Sequence, residues 1–221
     1  MKLAPPLIML AQGLPFAARL LPLLTTEKVP PQAQWERDYA SDRWSYLAGL
    51  DELAHYSVIA GYYAFLKPSG RVLDVGCGEG ILQTRLAPHG YRRYLGIDFA
   101  AGAICRVAER RNPATDFQVA DAATFTTDEK FDAIIFNESL YYFRDPAGIV
   151  KRYLTFLASD GIMIASMVIA RDRIAIWNAI GTVLEAMDET TAFNRRGLGW
   201  TVKVLASRQR SGRAATCDRQ R

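Results

Sequence analysis

The stretch Val72-Leu-Asp-Val-Gly-Cys-Gly-Glu-Gly80 is an apolar segment followed by glycines at alternate positions, Gly76, Gly78 and Gly80. A short apolar run that ends in glycines predicts a buried parallel strand leading into a tight turn and then a helix. Glycines lack a Cβ atom, so the backbone N–H groups of such a turn can approach a ligand closely. The helix N-terminus adds unpaired N–H groups and a positive dipole end, which suit a phosphate or a carboxylate.

The spacing of the glycines distinguishes two kinds of nucleotide cofactor. A dinucleotide-binding turn has the pattern Gly-x-Gly-x-x-Gly, which would place a glycine where this chain has Ile81. A nicotinamide-dependent oxidoreductase is therefore disfavoured. A second apolar segment, Tyr94-Leu-Gly-Ile-Asp98, ends in a carboxylate 18 residues after Gly80, which leaves room for one helix and one turn. A carboxylate at that position can accept hydrogen bonds from both ribose hydroxyls, and Phe99 beside it can stack on an adenine.

The pattern Gly-x-Gly-x-Gly, with Asp74 two residues before the first glycine and Asp98 at the next strand end, resembles motif I of the class I S-adenosylmethionine-dependent methyltransferases. The resemblance covers residues 35–206. It implies S-adenosylmethionine as the cofactor. It also implies an α/β fold with a doubly wound, seven-stranded, mostly parallel sheet of strand order 3-2-1-4-5-7-6, and N-terminal helices that serve as a lid.

The order of elements along the chain agrees with that fold. Helices are predicted at 34–40 and 51–65, and five strands alternating with helices are predicted at 71–75, 94–98, 116–120, 131–136 and 162–168. Such alternation indicates a doubly wound parallel sheet. Apolar residues at helical spacing predict a further helix over 173–187, and strands at 189–194 and 200–205, joined by a short turn, predict a closing hairpin.

In a doubly wound sheet, ligands bind at the carboxyl ends of the strands. The resemblance implies that the glycine turn holds the methionine part of the cofactor, that the second strand end holds the ribose, and that the ends of the third and fourth strands contact the adenine and the substrate side. The residues assigned in this way are Asp74, Gly76, Cys77, Gly78, Gly80, Asp98, Phe99, Asp121, Ala122 and Asn137. Two alternatives stay open: a purely structural role for Asp74, and a role for Cys77 as a small residue of the turn.

Two residues are candidates for catalysis, His55 on the helix before the first strand and Tyr141 after the fourth strand. Methyl transfer requires a base only when the acceptor must lose a proton. A histidine on an apolar helical face is commonly a core residue, and Tyr141 can equally be a core residue, so both structural alternatives are kept. Four aromatic residues near the lid, Trp35, Tyr39, Trp44 and Tyr46, are expected mainly to pack it against the domain.

The segment 137–143 narrows the class of molecule that can be the methyl acceptor. It lacks the Asn/Asp-Pro-Pro-Tyr signature of methyltransferases that act on amide or nucleobase amines, and the chain has no Pro-Cys nucleophile for cytosine C5 chemistry. The resemblance therefore implies methyl transfer to the O, N or C atom of a small organic molecule. The alternatives are an RNA or protein methyltransferase and a non-catalytic S-adenosylmethionine-binding protein.

Three segments are predicted: an apolar, proline-interrupted extension at 1–30, a methyltransferase domain at 31–206 and a basic, disordered tail at 207–221. The extension contains no uninterrupted apolar run of about 18 residues, so no transmembrane segment is expected. A weak contact with a membrane surface and a secretory signal are its alternatives. The tail carries five arginines and one aspartate, which accounts for the whole net charge of +4. The remaining residues are neutral overall, which argues against a nucleic-acid partner.

The three cysteines, Cys77, Cys105 and Cys217, are dispersed and form no Cys-x-x-Cys pair. This pattern predicts a reducing, cytoplasmic location and no zinc site. No cluster of histidine, cysteine and carboxylate residues suggests another metal, so none is expected.

Overall fold

The computed structural model describes residues 32–41 and 43–207 of the 221 in the chain. The predicted extension at 1–30 lies outside the described residues, as does the predicted tail beyond residue 207. No helix among the described residues combines the length and the apolar character that crossing a membrane would require.

Seven strands form one sheet in the order β3-β2-β1-β4-β5-β7-β6, which confirms the predicted fold class. They are β1 (Ser69–Val75), β2 (Tyr91–Asp98), β3 (Thr115–Val119), β4 (Phe131–Asn137), β5 (Leu157–Val168), β6 (Leu184–Phe193) and β7 (Gly199–Ser207). The first five strands run parallel, and β7 lies antiparallel between β5 and β6. The strand order reverses between β1 and β4, the place where doubly wound sheets open a ligand crevice.

Six α-helices accompany the sheet in the described residues: α1 (Gln32–Ala40), α2 (Leu53–Leu66), α3 (Ile81–Leu86), α4 (Ala101–Val107), α5 (Pro146–Tyr153) and α6 (Arg171–Gly181). The start of α5 follows its sequence signature closely. The Asp145 side chain accepts a hydrogen bond from the Gly148 N–H at 2.8 Å, and Pro146 occupies the first helical position.

The period-two alternation of side chains along a strand explains why both faces of the sheet are covered. On β1, Val72 packs in a core cluster with Ile59 and Tyr63 of α2. Its neighbour Leu73 packs in a second cluster, with Tyr153 of α5. Both β1 side chains are fully buried, so adjacent residues of one strand supply two separate cores.

Helix α1 packs over the carboxyl ends of the strands, as the lid prediction requires. The Glu36 carboxylate accepts hydrogen bonds from the N–H groups of Ala101 and Gly102 at the start of α4, at 2.9 and 3.1 Å. A negative side chain at a helix N-terminus is favourable because it meets unpaired N–H groups and the positive dipole end. Trp35 stacks on Trp44, with ring centroids 5.2 Å apart, and so joins α1 to the segment before α2.

The predicted helix over 173–187 was wrong at its C-terminal end. Helix α6 ends at Gly181, and β6 begins at Leu184, so that Met187 lies on the edge strand with 57% of its surface exposed. The helical spacing of apolar residues does not determine the secondary structure here, because Leu184 pairs with Ser207 on β7. This pairing is a long-range contact that the local pattern does not contain.

Candidate active site

A cavity of about 450 Å³ opens at the carboxyl ends of the parallel strands, beside the reversal of strand order. Its walls come from α1, from the segment that leads into α2, from the turns after β1, β2 and β3, and from residues after β4, β5 and the start of β7. All but one of the residues predicted as site residues line it: His55, Asp74, Gly76, Cys77, Gly78, Asp98, Phe99, Asp121, Ala122, Asn137 and Tyr141. The exception is Gly80.

The glycine turn exposes its backbone because two of its residues have no room for a side chain. Gly76 has a φ of +80°, and a Cβ atom on it would lie 2.8 Å from the Cβ of Ser139. Gly78 has a φ of +51°, and its Cβ would lie 3.0 Å from the Tyr39 hydroxyl. Positive φ values favour glycine strongly. The turn is therefore a backbone cradle on the cavity wall.

Gly80 is required for a different reason. A Cβ atom there would lie 2.9 Å from the Phe117 ring, and the Gly80 carbonyl accepts a hydrogen bond from Arg110 Nη1 at 3.0 Å. It precedes α3 with a φ of +63°. Gly80 thus packs the start of α3 against β3, behind the cradle.

Asp98 ties the cradle to the end of β2. One carboxylate oxygen accepts the N–H of Gly78 and the other accepts the N–H of Ala100, both at 2.9 Å. The side chain is largely buried, and burial raises the pKa of its carboxyl above the usual value. Because a carboxylate oxygen has two lone pairs, Asp98 retains acceptor capacity toward a ligand in the cavity.

Asp74 has one carboxylate oxygen without a partner. Its Oδ2 accepts the Tyr94 hydroxyl at 2.5 Å, whereas its Oδ1 is buried and lacks any hydrogen bond. Burial raises the pKa of this carboxyl to about 7. An unpaired buried acceptor is costly, so the position favours a cationic or hydrogen-donating group of a ligand.

The raised pKa of Asp74 predicts a pH dependence of stability. The carboxyl titrates near its ordinary value of 3.8 in the unfolded chain and near 7 in the folded protein. The folded state therefore binds an extra proton between these values, and the free energy of unfolding falls as the pH rises through this window. Relative to Asp74→Asn, the wild type should lose about 1 kcal/mol per pH unit in urea unfolding between pH 4.5 and 7. A constant difference between the two proteins would contradict this expectation.

Two further segments line the cavity beside the glycine turn. Asp121 is exposed and caps the turn after β3, where its Oδ1 accepts the Ala123 N–H at 2.8 Å. The carbonyl of Ala122 accepts the Tyr153 hydroxyl at 3.0 Å. Phe99 meets Trp35 edge to face, with centroids 6.1 Å apart. These contacts hold the end of β3 and the residue after β2 in fixed positions beside the cradle.

His55 links the lid to the end of β4. Its Nδ1 lies 2.9 Å from Asn137 Oδ1, and its Nε2 lies 3.4 Å from a Glu52 carboxylate oxygen without forming a hydrogen bond. Its ring stacks on Trp200 of β7, with centroids 4.8 Å apart. The histidine is thus held on both sides, within the cavity wall rather than in the core alone.

Glu138 occupies a backbone position with a φ of +54°, which is unusual for a residue with a side chain. Its carboxylate accepts the Val168 N–H at 3.0 Å and the Ser166 hydroxyl at 3.2 Å. Burial raises its pKa to about 7. The strained backbone therefore directs a buried carboxylate toward the end of β5.

Tyr141 forms part of the cavity wall. Its hydroxyl contacts Glu138 Oε2 at 3.3 Å, and the guanidinium of Arg173 lies 3.8 Å from the centre of its ring. Burial raises the pKa of this phenol well above its usual value. A phenol of this kind is a poor proton acceptor near neutral pH, and its neighbour Leu140 is fully buried core.

Several lining residues were not predicted as site residues. They include Glu52, Glu138, Ser139 and Trp200, together with the lid aromatics Trp35, Tyr39, Trp44 and Tyr46, for which packing was the expected role. Glu52 carried a weak signal in the sequence, because it precedes His55 by three residues and such pairs share one helical face. Trp200 carried no such signal in the sequence, since only the tertiary fold brings β7 against α2.

No group of three or more histidine, cysteine or carboxylate side chains within residues 32–41 and 43–207 is arranged to hold a metal ion.

Comparison with known proteins agrees with this geometry. The chain is 32% identical over 130 residues to Nodulation protein S of Sinorhizobium fredii, which covers 57% of this chain and 60% of that protein. It is 33% identical over 94 residues to a malonyl-[acyl-carrier protein] O-methyltransferase of Acetivibrio thermocellus, covering 42% of this chain and 33% of that protein. The chain thus spans less than two thirds of the length of each of these relatives, 60% of the first and 33% of the second.

Among solved structures, the fold is similar to that of the N-methyltransferase NodS from Bradyrhizobium japonicum WM9 in complex with S-adenosyl-L-homocysteine. The TM-score is 0.68 at 20% identity, with 80% of this chain and 98% of that chain covered. The family described as Methyltransferase domain matches residues 43–209, which is most of the chain and includes nearly all of the cavity wall. The chain therefore belongs to the methyltransferase-domain family.

Proposed function

We propose that the protein transfers a methyl group from S-adenosylmethionine to a small organic acceptor. The observation that carries the proposal is the arrangement around the glycine turn. A bare backbone cradle lies between two buried carboxylates, Asp74 and Asp98, and one oxygen of Asp74 has no partner. This arrangement suits a ligand that combines an amino-acid moiety with a ribose.

In this proposal Asp74 receives the cofactor's ammonium group, and the N–H groups around Gly76 and Gly78 lie along its methionine part. Asp98 accepts hydrogen bonds from the ribose. Phe99, Asp121 and Ala122 lie around the adenine. When bound, S-adenosylmethionine supplies a methyl group on a sulfonium, which is already activated for displacement. The protein's contribution is then to exclude water and to hold the acceptor in line, which can account for several kcal/mol of the barrier.

We also propose that His55 accepts a proton from the acceptor. The Asn137 side chain also forms a hydrogen bond with Tyr56. Burial raises the pKa of that phenol, and this hydrogen bond opposes the rise, so the Asn137 amide nitrogen is the donor there. Its carbonyl oxygen then accepts the N–H of His55 Nδ1. The neutral ring consequently carries its lone pair on Nε2, close to the Glu52 carboxylate. A nearby carboxylate stabilises the imidazolium that forms when Nε2 takes up a proton.

The names of the relatives leave the acceptor atom open. The Bradyrhizobium protein is an N-methyltransferase, and the Acetivibrio protein is an O-methyltransferase. The proposal therefore covers both nitrogen and oxygen acceptors. We propose residues 31–206 as the catalytic unit and a reducing cytoplasmic location. The location is supported by Cys77 and Cys105, which are free thiols.

The test combines cofactor binding with methyl transfer. Isothermal titration with S-adenosylhomocysteine should show binding to the wild type and to Glu109→Gln, an exposed carboxylate away from the cavity, and weaker binding to Asp74→Asn. Incubation of cell extract with a tritiated methyl donor should then label a small molecule. Absence of binding would overturn the proposal. Binding without any labelled product would favour the non-catalytic alternative, and label in RNA or protein would favour a macromolecular acceptor.

A further inference from the structure

The aspartate, glutamate, lysine and arginine residues found on the described cavity wall are all of one sign, which is acidic. Among the described residues that line the cavity there are six carboxylates and neither a lysine nor an arginine: Glu52, Asp74, Glu79, Asp98, Asp121 and Glu138. Two arginines stand behind the wall with acidic partners of their own. Arg106 lies 3.3 Å from Glu79, and Arg173, beneath the Tyr141 ring, lies 2.5 Å from Asp172.

Two of these carboxylates, Glu52 and Glu138, lie on the acceptor side. Glu52 lies 3.4 Å from His55 Nε2, and Glu138 accepts hydrogen bonds from the Ser166 hydroxyl and the Val168 N–H at the end of β5. The pKa of the nearby Tyr56 phenol is raised first by burial and then by the charges of Asp74, Glu52 and Glu138. Each of the three is at most intermediate in exposure, and both Glu52 and Asp74 are buried. A cation placed between two carboxylates is attracted by both charges and relieves the repulsion between them.

Two independent features point to a ligand rather than to internal neutralisation. First, the buried His55 Nε2 faces this side of the cavity without a hydrogen-bond partner. In addition, Trp200 lines the cavity with its ring beside His55. It stacks on His55 and pairs in the sheet with Val168, whose N–H binds Glu138. The face of an aromatic ring attracts cations within about 6 Å.

We infer that the methyl acceptor is an aliphatic amine, which enters the cavity as its ammonium ion and is received between Glu52 and Glu138 beside the ring of Trp200. This inference rests on the proposed function and specifies its substrate class. A phosphate or carboxylate near the reacting atom is disfavoured because the described wall offers it no cation. A neutral hydroxyl would leave the carboxylates without a charge partner.

An ammonium ion has no free electron pair and must lose a proton before it can accept a methyl group. Here the N–H bond of the ammonium breaks, its electron pair stays on the amine nitrogen, and the proton moves to His55 Nε2. Glu52, 3.4 Å from that nitrogen, stabilises the resulting imidazolium. Glu138 remains beside the amine.

The test uses three probes of similar size and different charge: benzylamine, benzyl alcohol and benzoate. Each is titrated into the full-length protein saturated with S-adenosylhomocysteine, and binding is followed by NMR of the tryptophan indole N–H groups. Trp35, Trp44 and Trp200 line the cavity, whereas Trp177 lies outside its lining and serves as an internal reference. We expect the signals of the cavity tryptophans to move with benzylamine, at a dissociation constant about tenfold or more below that for the other two probes.

The variants Glu52→Gln and Glu138→Gln should each reduce this preference about fivefold, and Glu109→Gln should leave it unchanged. The His55 ring signal should shift with benzylamine, whereas that of the exposed His89 should not. Equal or tighter binding of benzyl alcohol or benzoate to the wild type would overturn the inference, even if neither variant folds. A preference that survives in both glutamine variants would also overturn it. A wild type that binds S-adenosylhomocysteine without preferring the amine overturns this inference alone, whereas failure to bind S-adenosylhomocysteine overturns the proposed function itself.

Discussion

Asp98→Asn is expected to lower the affinity for S-adenosylhomocysteine about 100-fold or more, measured by isothermal titration. Each oxygen of this carboxylate accepts a backbone N–H, from Gly78 and from Ala100. An asparagine would turn an NH₂ group toward one of those donors and would displace that end of the cradle. It would also remove the charged acceptor for the ribose. Hydrogen bonds to a charged group contribute about 1.5–3 kcal/mol each, so losing two of them accounts for the expected factor.

The matched control is Asp132→Asn. Asp132 likewise accepts a backbone N–H, from Arg71 at 2.7 Å, but it lies near the start of β4, at the opposite end of the strand from the cavity. Its loss should reduce the free energy of unfolding without changing cofactor affinity. Undiminished binding by Asp98→Asn, or equal losses in the two variants, would contradict the role proposed for Asp98.

Gly76→Ala is expected to lower the free energy of unfolding by about 2–5 kcal/mol and to weaken S-adenosylhomocysteine binding at least about tenfold. Alanine at a φ of +80° is strained, and its Cβ would lie 2.8 Å from the Cβ of Ser139. Strain in the left-handed region costs about 1–2 kcal/mol, and overpacking adds about 1–3 kcal/mol. Urea unfolding gives the first quantity and isothermal titration the second.

Two variants separate the causes of the effect of Gly76→Ala. Adding Ser139→Gly to it removes the clashing Cβ and should restore the overpacking part of the lost stability, while leaving the backbone strain. Gly61→Ala, on an exposed part of α2 with nothing within 4 Å of the new Cβ, should raise stability by about 0.5–1 kcal/mol. If Gly76→Ala behaved like Gly61→Ala, the turn would not be the crowded cradle that the structure describes.

The sequence predicted the strands of the sheet because the decisive signals are local, whereas the order of the strands came from the resemblance to class I methyltransferases. Each buried strand is a short apolar run, and each run ends in residues that mark a turn, such as the glycines after Val75 or the carboxylate at Asp98. The end of α6 was predicted wrongly because the choice between helix and strand at 182–187 depends on β7. That partner strand is separated from it along the chain and is invisible to any local pattern.

All but one of the residues predicted to bind the cofactor line one cavity for the same reason. They are consecutive with strand ends, so their positions are fixed once the strands are known. Gly80 shows the limit of this reasoning. It satisfied the glycine pattern, but it packs against Phe117 behind the cradle rather than lining the cavity.

The part of the cavity proposed to receive the acceptor was assembled by tertiary structure. His55 and Asn137 are 82 residues apart in the chain and meet at 2.9 Å, and Trp200 arrives from the last strand. By itself the sequence determined the alternation of strands and helices and the turn that follows the first strand, because periodicity and glycine placement act over a few residues. Only folding brought the lid carboxylate Glu52, the end of β4 and β7 to one cavity, because side-chain packing and charge depend on neighbours that are distant in the chain.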